Sequence, residues 1–302
     1  MLRTNRRDVV HIPNICSLVS DSKEDHCRGV TSGPANLFLL AAMARSSSVQ
    51  DVFMLFGDSI TQGAWDVGFN GVGQRLSRES FFIFITLGSQ VFVDVYARKL
   101  DVLNRGLSGY TTEWSLPILK LVRSSYKYLC MKITGIQLIN QIPTSSKIRI
   151  LTIWFGANDA CVPPSPQHVP LPKFISNLKS MISFVKSCDS QPSGTHILLI
   201  SPPPVNTIDR AADLASRDPP LQLDREFEVT KRYAQAVEQV AREEGVAFVD
   251  VWNKIWDAAD REEVNLRRFL RDGLHLNAEG YAVRALLAFF SNFDWTVVVD
   301  RI

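Results

Sequence analysis

The sequence lacks the features that mark several classes of protein. Its 33 basic and 31 acidic side chains nearly balance, so the net charge is only +2. Such a balance gives no strongly basic surface for nucleic acid or for an anionic membrane. The most apolar runs, 37–42 and 81–85, are far shorter than the roughly 18 residues that a membrane-spanning helix needs. We therefore expect no nucleic-acid partner and no transmembrane segment.

Cysteine is also scarce, and its pattern excludes the usual cysteine-based sites. The chain has 5 cysteines, an odd number, widely spaced and without a Cys-x-x-Cys pair. A disulfide framework or a zinc site is therefore not expected, and a reducing compartment, the cytoplasm, is favoured. The 5 histidines lack metal-ligand spacing, and no phosphate-binding loop or dinucleotide fingerprint is present. We expect neither a metal nor a cofactor.

The chain does contain a regular alternation of strand and helix patterns. Short apolar runs predict five strands, at 52–56, 100–104, 148–155, 197–200 and 246–251. Two sets of apolar residues have helical spacing: Phe174, Leu178, Met181, Ile182 and Val185, then Phe227, Ala234, Val237 and Ala241. Asn277 is a predicted N-cap for a last helix carrying Leu286, Leu287 and Phe290. This alternation predicts an α/β fold, a three-layer α/β/α sandwich around a parallel five-stranded sheet.

Three segments do not fit the alternation. Residues 1–48 show no helical or strand period, and we expect a disordered N-terminal arm there. The motifs described below all fall in a single domain, 49–302. Within it, 78–93 and 121–140 interrupt the pattern and are expected to be insertions, either real surface segments or extra sequence from a wrong gene model.

One stretch places a serine where α/β sheets bind ligands. The apolar residues 52–56 predict a buried strand, Gly57 predicts a tight turn, and Ser59 follows at a predicted helix start. Open parallel sheets bind ligands beyond the carboxyl ends of their strands. Because the first N–H groups of a helix lack intrahelical partners, Ser59 offers both a nucleophilic hydroxyl and a backbone donor. An ordinary N-cap serine after a turn fits the same pattern.

A second motif near the C-terminus supplies the partners that a serine nucleophile needs. Asp272 and His275 lie in the sequence Asp-Gly-Leu-His. Neutral imidazole accepts a hydroxyl proton near pH 7, and a carboxylate fixes its tautomer and stabilises its charged form. The pattern predicts Ser59 as nucleophile, His275 as general base and then acid, and Asp272 as the orienting group. A polar histidine that caps the final helix is the alternative.

Two loops that follow predicted strands add hydrogen-bond donors. Gly109 can bring a backbone N–H close to a ligand, and Asn158 offers a side-chain amide. Together with the N–H of Ser59, these groups would stabilise a tetrahedral oxyanion. Ordinary turn chemistry explains either residue alone. Their shared placement, after parallel strands, favours a common site.

The motifs together resemble a known family. Phe-Gly-Asp-Ser at 56–59, Asn-Arg-Gly-x-Ser-Gly-Tyr at 104–110, Gly-Ala-Asn-Asp at 156–159 and Asp-Gly-Leu-His at 272–275 match the ordered blocks of the GDSL, or SGNH, hydrolases. The longer strings around them look most like the isoamyl acetate-hydrolysing esterase branch. The resemblance implies a flavodoxin-like α/β/α sandwich. It also implies a triad of Ser59, Asp272 and His275, and an oxyanion hole of Ser59, Gly109 and Asn158.

The expected activity is hydrolysis of short-chain esters, most simply acetates of small apolar alcohols, through an acyl-enzyme. Trp65, Tyr110, Pro202 and Val205 could line an apolar alcohol pocket, or could simply pack the upper edge of the sheet. A lysophospholipase or thioesterase and a carbohydrate deacetylase are alternatives on the same fold. A non-catalytic binding module is a further one. The expected partner is a small-molecule ester, and a homodimer is left open.

Overall fold

A computed structural model of the chain describes residues 51–66, 100–124, 147–187 and 194–283. The predicted arm at 1–48, the predicted insertion at 78–93 and the apolar residues at 286–290 lie outside these ranges. Of the second predicted insertion, 121–140, only the first four residues are described, and they continue a helix.

Five parallel strands form one sheet. They are β1 (Asp51–Gly57), β2 (Leu100–Gly106), β3 (Ile148–Trp154), β4 (His196–Ile200) and β5 (Ala247–Val249). Their order across the sheet is β2-β1-β3-β4-β5. This is the doubly wound, flavodoxin-like order, in which the chain reverses direction across the sheet between β1 and β3. The predicted parallel five-stranded sheet is confirmed.

Seven α-helices and one 3-10 helix occupy the described ranges. They are α1 (Ser59–Gly63), α2 (Thr112–Ser124), α3 (Leu171–Ser187), α4 (Thr207–Ala215), α5 (Phe227–Glu244), α6 (Val251–Ala258), the 3-10 helix (Glu263–Arg268) and α7 (Ala278–Ala282). Asn277 accepts a hydrogen bond from the backbone N–H of Gly280, so the predicted N-cap is confirmed. No helix in these ranges has both the length and the apolar character needed to cross a bilayer.

The sheet buries apolar side chains on both faces. Alternate residues of β1 point to opposite sides: Phe53 and Leu55 pack with α6, the 3-10 helix and α7, whereas Met54 and Phe56 pack with α3 and α5. All five apolar residues predicted on the inner face of α3 are buried. This double burial is why β1 reads as a continuous apolar run rather than an alternating one. The three-layer α/β/α architecture is confirmed.

Strand ends differ from the prediction by one or two residues, and two differences have a clear physical cause. The fifth strand ends at Val249 rather than 251, because Asp250 caps α6 by accepting a hydrogen bond from Asn253 N at 3.0 Å. Phe227 does not share the packing of Val237 further along α5. It contacts Trp252 and Trp256 on the other face of the sheet, with ring centroids 5.3 and 4.7 Å away.

Candidate active site

The candidate site lies at the carboxyl ends of three neighbouring strands. Ser59, Gly109 and Asn158 follow β1, β2 and β3, which are adjacent in the sheet. The loops after β2 and β3 meet directly, because the side-chain Nδ2 of Asn158 donates to the carbonyl oxygen of Tyr110 at 3.0 Å. Ser59 and Asn158 therefore flank the point where strand order reverses, the usual ligand position in this topology.

Ser59 is the first residue of α1, and a very tight turn sets its position. Asp58 caps the helix by accepting a hydrogen bond from Ile60 N at 2.9 Å. A Cβ on Gly57 would lie 2.0 Å from the hydroxyl oxygen of Thr61, and one on Gly106 would lie 2.1 Å from the backbone nitrogen of Gln62. Both glycines therefore let α1 approach the strand ends. Asn104 holds the same helix through its Nδ2, which donates to Thr61 O at 2.9 Å.

Ser59 contacts His275, which in turn contacts Asp272. The hydroxyl oxygen of Ser59 is 2.9 Å from Nε2 of His275, although 216 positions separate the two residues. Nδ1 of the same imidazole is 2.7 Å from Oδ2 of Asp272. Backbone N–H groups of His275 and Leu274 donate to Oδ1 of Asp272 at 2.8 and 3.1 Å. The carboxylate thus fixes both the ring and the loop that carries it.

The loop that carries His275 is itself fixed against α4. Gly273 has a φ of +78°, and a Cβ there would lie 2.4 Å from the backbone nitrogen of Arg210. Its carbonyl accepts a hydrogen bond from Asn206 N at 2.9 Å. Only glycine combines this left-handed conformation with so close an approach. The spacing of Asp272 and His275 therefore depends on glycine at 273.

The environment of Asp272 keeps its carboxyl group ionised. Burial raises its pKa, but the hydrogen bond and charge of His275 and the two backbone N–H donors outweigh burial. The net result is a pKa well below the ordinary value of 3.8. An ionised Asp272 accepts the Nδ1 proton of His275, which leaves Nε2 free to accept the Ser59 hydroxyl proton.

Ser59, Gly109 and Asn158 each carry an N–H group, and the three residues follow adjacent strands. In the described part of the chain, no hydrogen bond occupies the backbone N–H of Ser59 or of Gly109. Gly109 has a φ of +78°, and its carbonyl accepts a hydrogen bond from Gln167 Nε2 at 2.7 Å. Asn158 is buried, and one of its two amide N–H groups remains after the contact with Tyr110. Such an arrangement is suited to an anionic oxygen.

Sequence reasoning missed several buried polar groups around these residues. Arg225 is almost fully buried and donates to Oδ1 of Asn158 at 2.9 Å. Burial raises the pKa of Asp58 to about 7 and that of Asp159 to about 6. The hydroxyl of Tyr281 donates to the carbonyl of Ile60 at 2.6 Å. Charged side chains usually lie at the surface, so the sequence does not indicate that Arg225 and Asp58 are buried.

The four residues predicted to line an alcohol pocket occupy different parts of the fold, and their role stays a prediction. Val205 is fully buried and Pro202 is buried, so neither presents an open wall in this conformation. Trp65 packs against the core on one face of the sheet, and Tyr110 packs against the core on the other. The burial of Pro202 and Val205 agrees with the alternative interpretation, that these residues pack the upper edge of the sheet. Tyr110 contacts the exposed ring of Trp114, with centroids 6.1 Å apart.

Comparison with known proteins assigns the family. The model of the GDSL-like lipase/acylhydrolase family matches residues 55–283. The chain belongs to this family. It is 35% identical over 230 residues to the isoamyl acetate-hydrolyzing esterase 1 homolog of Bos taurus, which covers 75% of each protein. It is 33% identical to the isoamyl acetate-hydrolyzing esterase of Saccharomyces cerevisiae, which covers 76% of this chain and 81% of the yeast protein.

A solved structure shares the fold of this GDSL-family chain. A mutant of Axe2, an acetyl-xylooligosaccharide esterase from Geobacillus, aligns with a TM-score of 0.51. The alignment covers 82% of this chain and 98% of that one at 19% identity, so it shows the fold alone. The resemblance deduced from four sequence motifs is confirmed, and with it the expectation of a carboxylic ester hydrolase.

Proposed function

We propose that the chain hydrolyses short-chain carboxylic esters through a covalent acyl-serine at Ser59. The observation that carries the proposal is the continuous contact from Ser59 Oγ to His275 Nε2, at 2.9 Å, and from His275 Nδ1 to Asp272, at 2.7 Å. A hydroxyl, an imidazole and an ionised carboxylate in this order form the arrangement of a serine hydrolase. Because these groups perform the chemistry themselves, the proposed reaction needs no metal.

The steps follow from these positions. His275 accepts the hydroxyl proton as Ser59 Oγ attacks the ester carbonyl carbon, and it then donates that proton to the departing alcohol oxygen. A water molecule then loses a proton to the same imidazole as its oxygen attacks the acyl-serine carbonyl. The imidazolium returns that proton to Ser59 Oγ as the acyl–oxygen bond breaks and the carboxylic acid leaves. Asp272 stabilises the imidazolium in both halves of the reaction. The N–H groups of Ser59, Gly109 and Asn158 stabilise the oxyanion that forms twice.

The proposed substrates are acetate esters of small apolar alcohols such as isoamyl alcohol. The names of the bovine and yeast relatives support this choice, since both refer to isoamyl acetate hydrolysis. A lysophospholipase or thioesterase would require a long acyl groove, and a carbohydrate deacetylase would require polar sugar contacts. We also propose a cytoplasmic location, which the odd cysteine count and the buried free thiol of Cys161 support.

An acyl-chain series tests the proposal. We expect kcat/KM to be highest for acetyl or butyryl esters and to fall gradually toward decanoyl, at a fixed alcohol and with excess chelator present. Each added methylene changes discrimination by only ~1–3 kcal/mol, so the decline should be graded. A maximum at long chains would favour the lipase or thioesterase alternative, and activity confined to acetylated sugars would favour the deacetylase. Loss of all activity under chelation, restored by a divalent cation, would contradict the metal-independent mechanism.

A further inference from the structure

Arg225 is buried almost completely, with only 1% of its surface exposed. A guanidinium in such a place is costly unless its N–H groups are paired. Its Nε donates to Ala157 O at 2.7 Å, its Nη2 to Asn158 Oδ1 at 2.9 Å, and its Nη1 to Asp224 Oδ2 at 2.5 Å. Two of these three contacts are to the loop that carries the proposed oxyanion donor.

The partners of Asn158 determine which way its amide group points. A guanidinium can only donate a hydrogen bond, so Arg225 requires the oxygen end of the amide. The carbonyl of Tyr110 can only accept, so at 3.0 Å it requires the nitrogen end. Between them the two contacts exclude the flipped amide, which would place like groups together at both ends. The second N–H of Asn158 therefore has one fixed direction.

We propose that Arg225 is a positioning residue that orients and polarises the Asn158 amide for oxyanion stabilisation. The inference rests on the proposed function, because it requires Asn158 to be an oxyanion donor. A cationic donor at Oδ1 draws electron density from the amide and strengthens its remaining N–H as a donor. A donor that is fixed before the reaction needs no reorganisation when charge develops. Arg225 does not itself contact the reacting atoms.

A purely structural role for Arg225 makes different predictions. Arg225 also helps to join two loops, since its Nε donates to Ala157 O while the carbonyl of the adjacent Asp224 accepts a hydrogen bond from Val162 N at 2.9 Å. Loosening that junction would lower stability without acting specifically through Asn158. Arg210 provides a matched control, because it contacts the same Asp224 through Nε and Nη2 at 3.1 and 2.8 Å.

The test is a double-mutant cycle measured with p-nitrophenyl acetate. Arg225→Lys keeps the charge but loses the planar fork that reaches Asn158, Ala157 and Asp224 together. We expect kcat to fall about tenfold with KM little changed, less than the about 10²–10³ expected when the donor itself is removed by Asn158→Ala. In the Asn158→Ala background, Arg225→Lys should change kcat by less than about twofold, since no amide remains to be oriented. Arg210→Lys should leave kcat within about twofold of wild type.

The possible results separate the two roles. A folded Arg225→Lys variant with wild-type kcat, or an equal loss in both backgrounds, would overturn the positioning role while leaving the proposed function intact. Wild-type protein without esterase activity, or Asn158→Ala with full activity, would overturn the proposed function and this inference together. If Arg225→Lys does not fold, the paired variant Asp224→Asn/Arg225→Gln removes both charges at once. It should show the same loss, confined to the background that retains Asn158, and full activity would refute the role.

Discussion

Replacing Asp272 with asparagine should abolish most activity without unfolding the protein. An asparagine Oδ1 can still accept the backbone N–H groups of His275 and Leu274, which lie 2.8 and 3.1 Å from the carboxylate oxygen. Its NH₂ group would replace Oδ2, 2.7 Å from Nδ1 of His275, and can only donate there. The imidazole must then accept at Nδ1 and carry its proton on Nε2, facing Ser59 Oγ at 2.9 Å. A protonated Nε2 cannot accept the hydroxyl proton.

The expected loss in kcat is about 10⁴, or about 5 kcal/mol of transition-state stabilisation. The assay is steady-state hydrolysis of an acetate ester, with circular dichroism and thermal unfolding to establish the fold. Asp250→Asn is the matched control, because Asp250 also accepts a backbone N–H, that of Asn253 at 3.0 Å, but follows β5, an edge strand three places from β1 in the sheet. It should retain wild-type kcat. A folded Asp272→Asn variant that keeps more than about a tenth of wild-type kcat would refute the tautomer argument.

Two further predictions concern stability. Gly106→Ala should lower the free energy of unfolding by about 3 kcal/mol and reduce activity, because its Cβ would lie 2.1 Å from Gln62 N. Gly245→Ala is the control: φ is +62° there, but no atom lies within 4 Å of the added Cβ, so urea unfolding should show a loss of only about 1 kcal/mol. Burial raises the pKa of Asp58 from 3.8 to about 7, because the buried carboxyl group is more favourable when protonated. The stability that this protonated group contributes to the fold is therefore complete below pH 3.8 and is lost as pH rises through about 7. Wild type should therefore lose about 2 kcal/mol more than Asp58→Asn between about pH 5 and about pH 8, and equal losses would contradict the raised pKa.

The sheet and the contact between Asp272 and His275 could be predicted because their signals are local. β1 and β3 are buried on both faces, so each is a continuous apolar run, and each ends in a turn that the sequence marks with glycine. Asp272 and His275 are three positions apart, and their contact depends only on the loop between them. The end of β5 was placed too late because Val251 is apolar like a strand residue but begins α6 behind the Asp250 cap.

The supporting groups could not be predicted because their partners are distant in the chain. Arg225 and Asn158 are separated by 67 positions, and nothing near Arg225 marks it as buried. The same holds for Asn104, whose side chain holds a helix 43 positions away. The pocket residues stay a prediction, and the sequence could not place them, since which face Trp65 and Tyr110 occupy depends on the packing of whole layers.

The most direct test of the central proposal, that Ser59 is the nucleophile of an esterase, is covalent labelling with a fluorophosphonate followed by peptide mass spectrometry. We predict one adduct, on the peptide that contains Ser59, with ester hydrolysis lost in proportion to labelling. The His275→Ala variant should label far more slowly, because Ser59 then lacks its base. Hydrolysis that persists after Ser59 is fully labelled, or an adduct on another residue that accounts for the lost activity, would contradict the proposal.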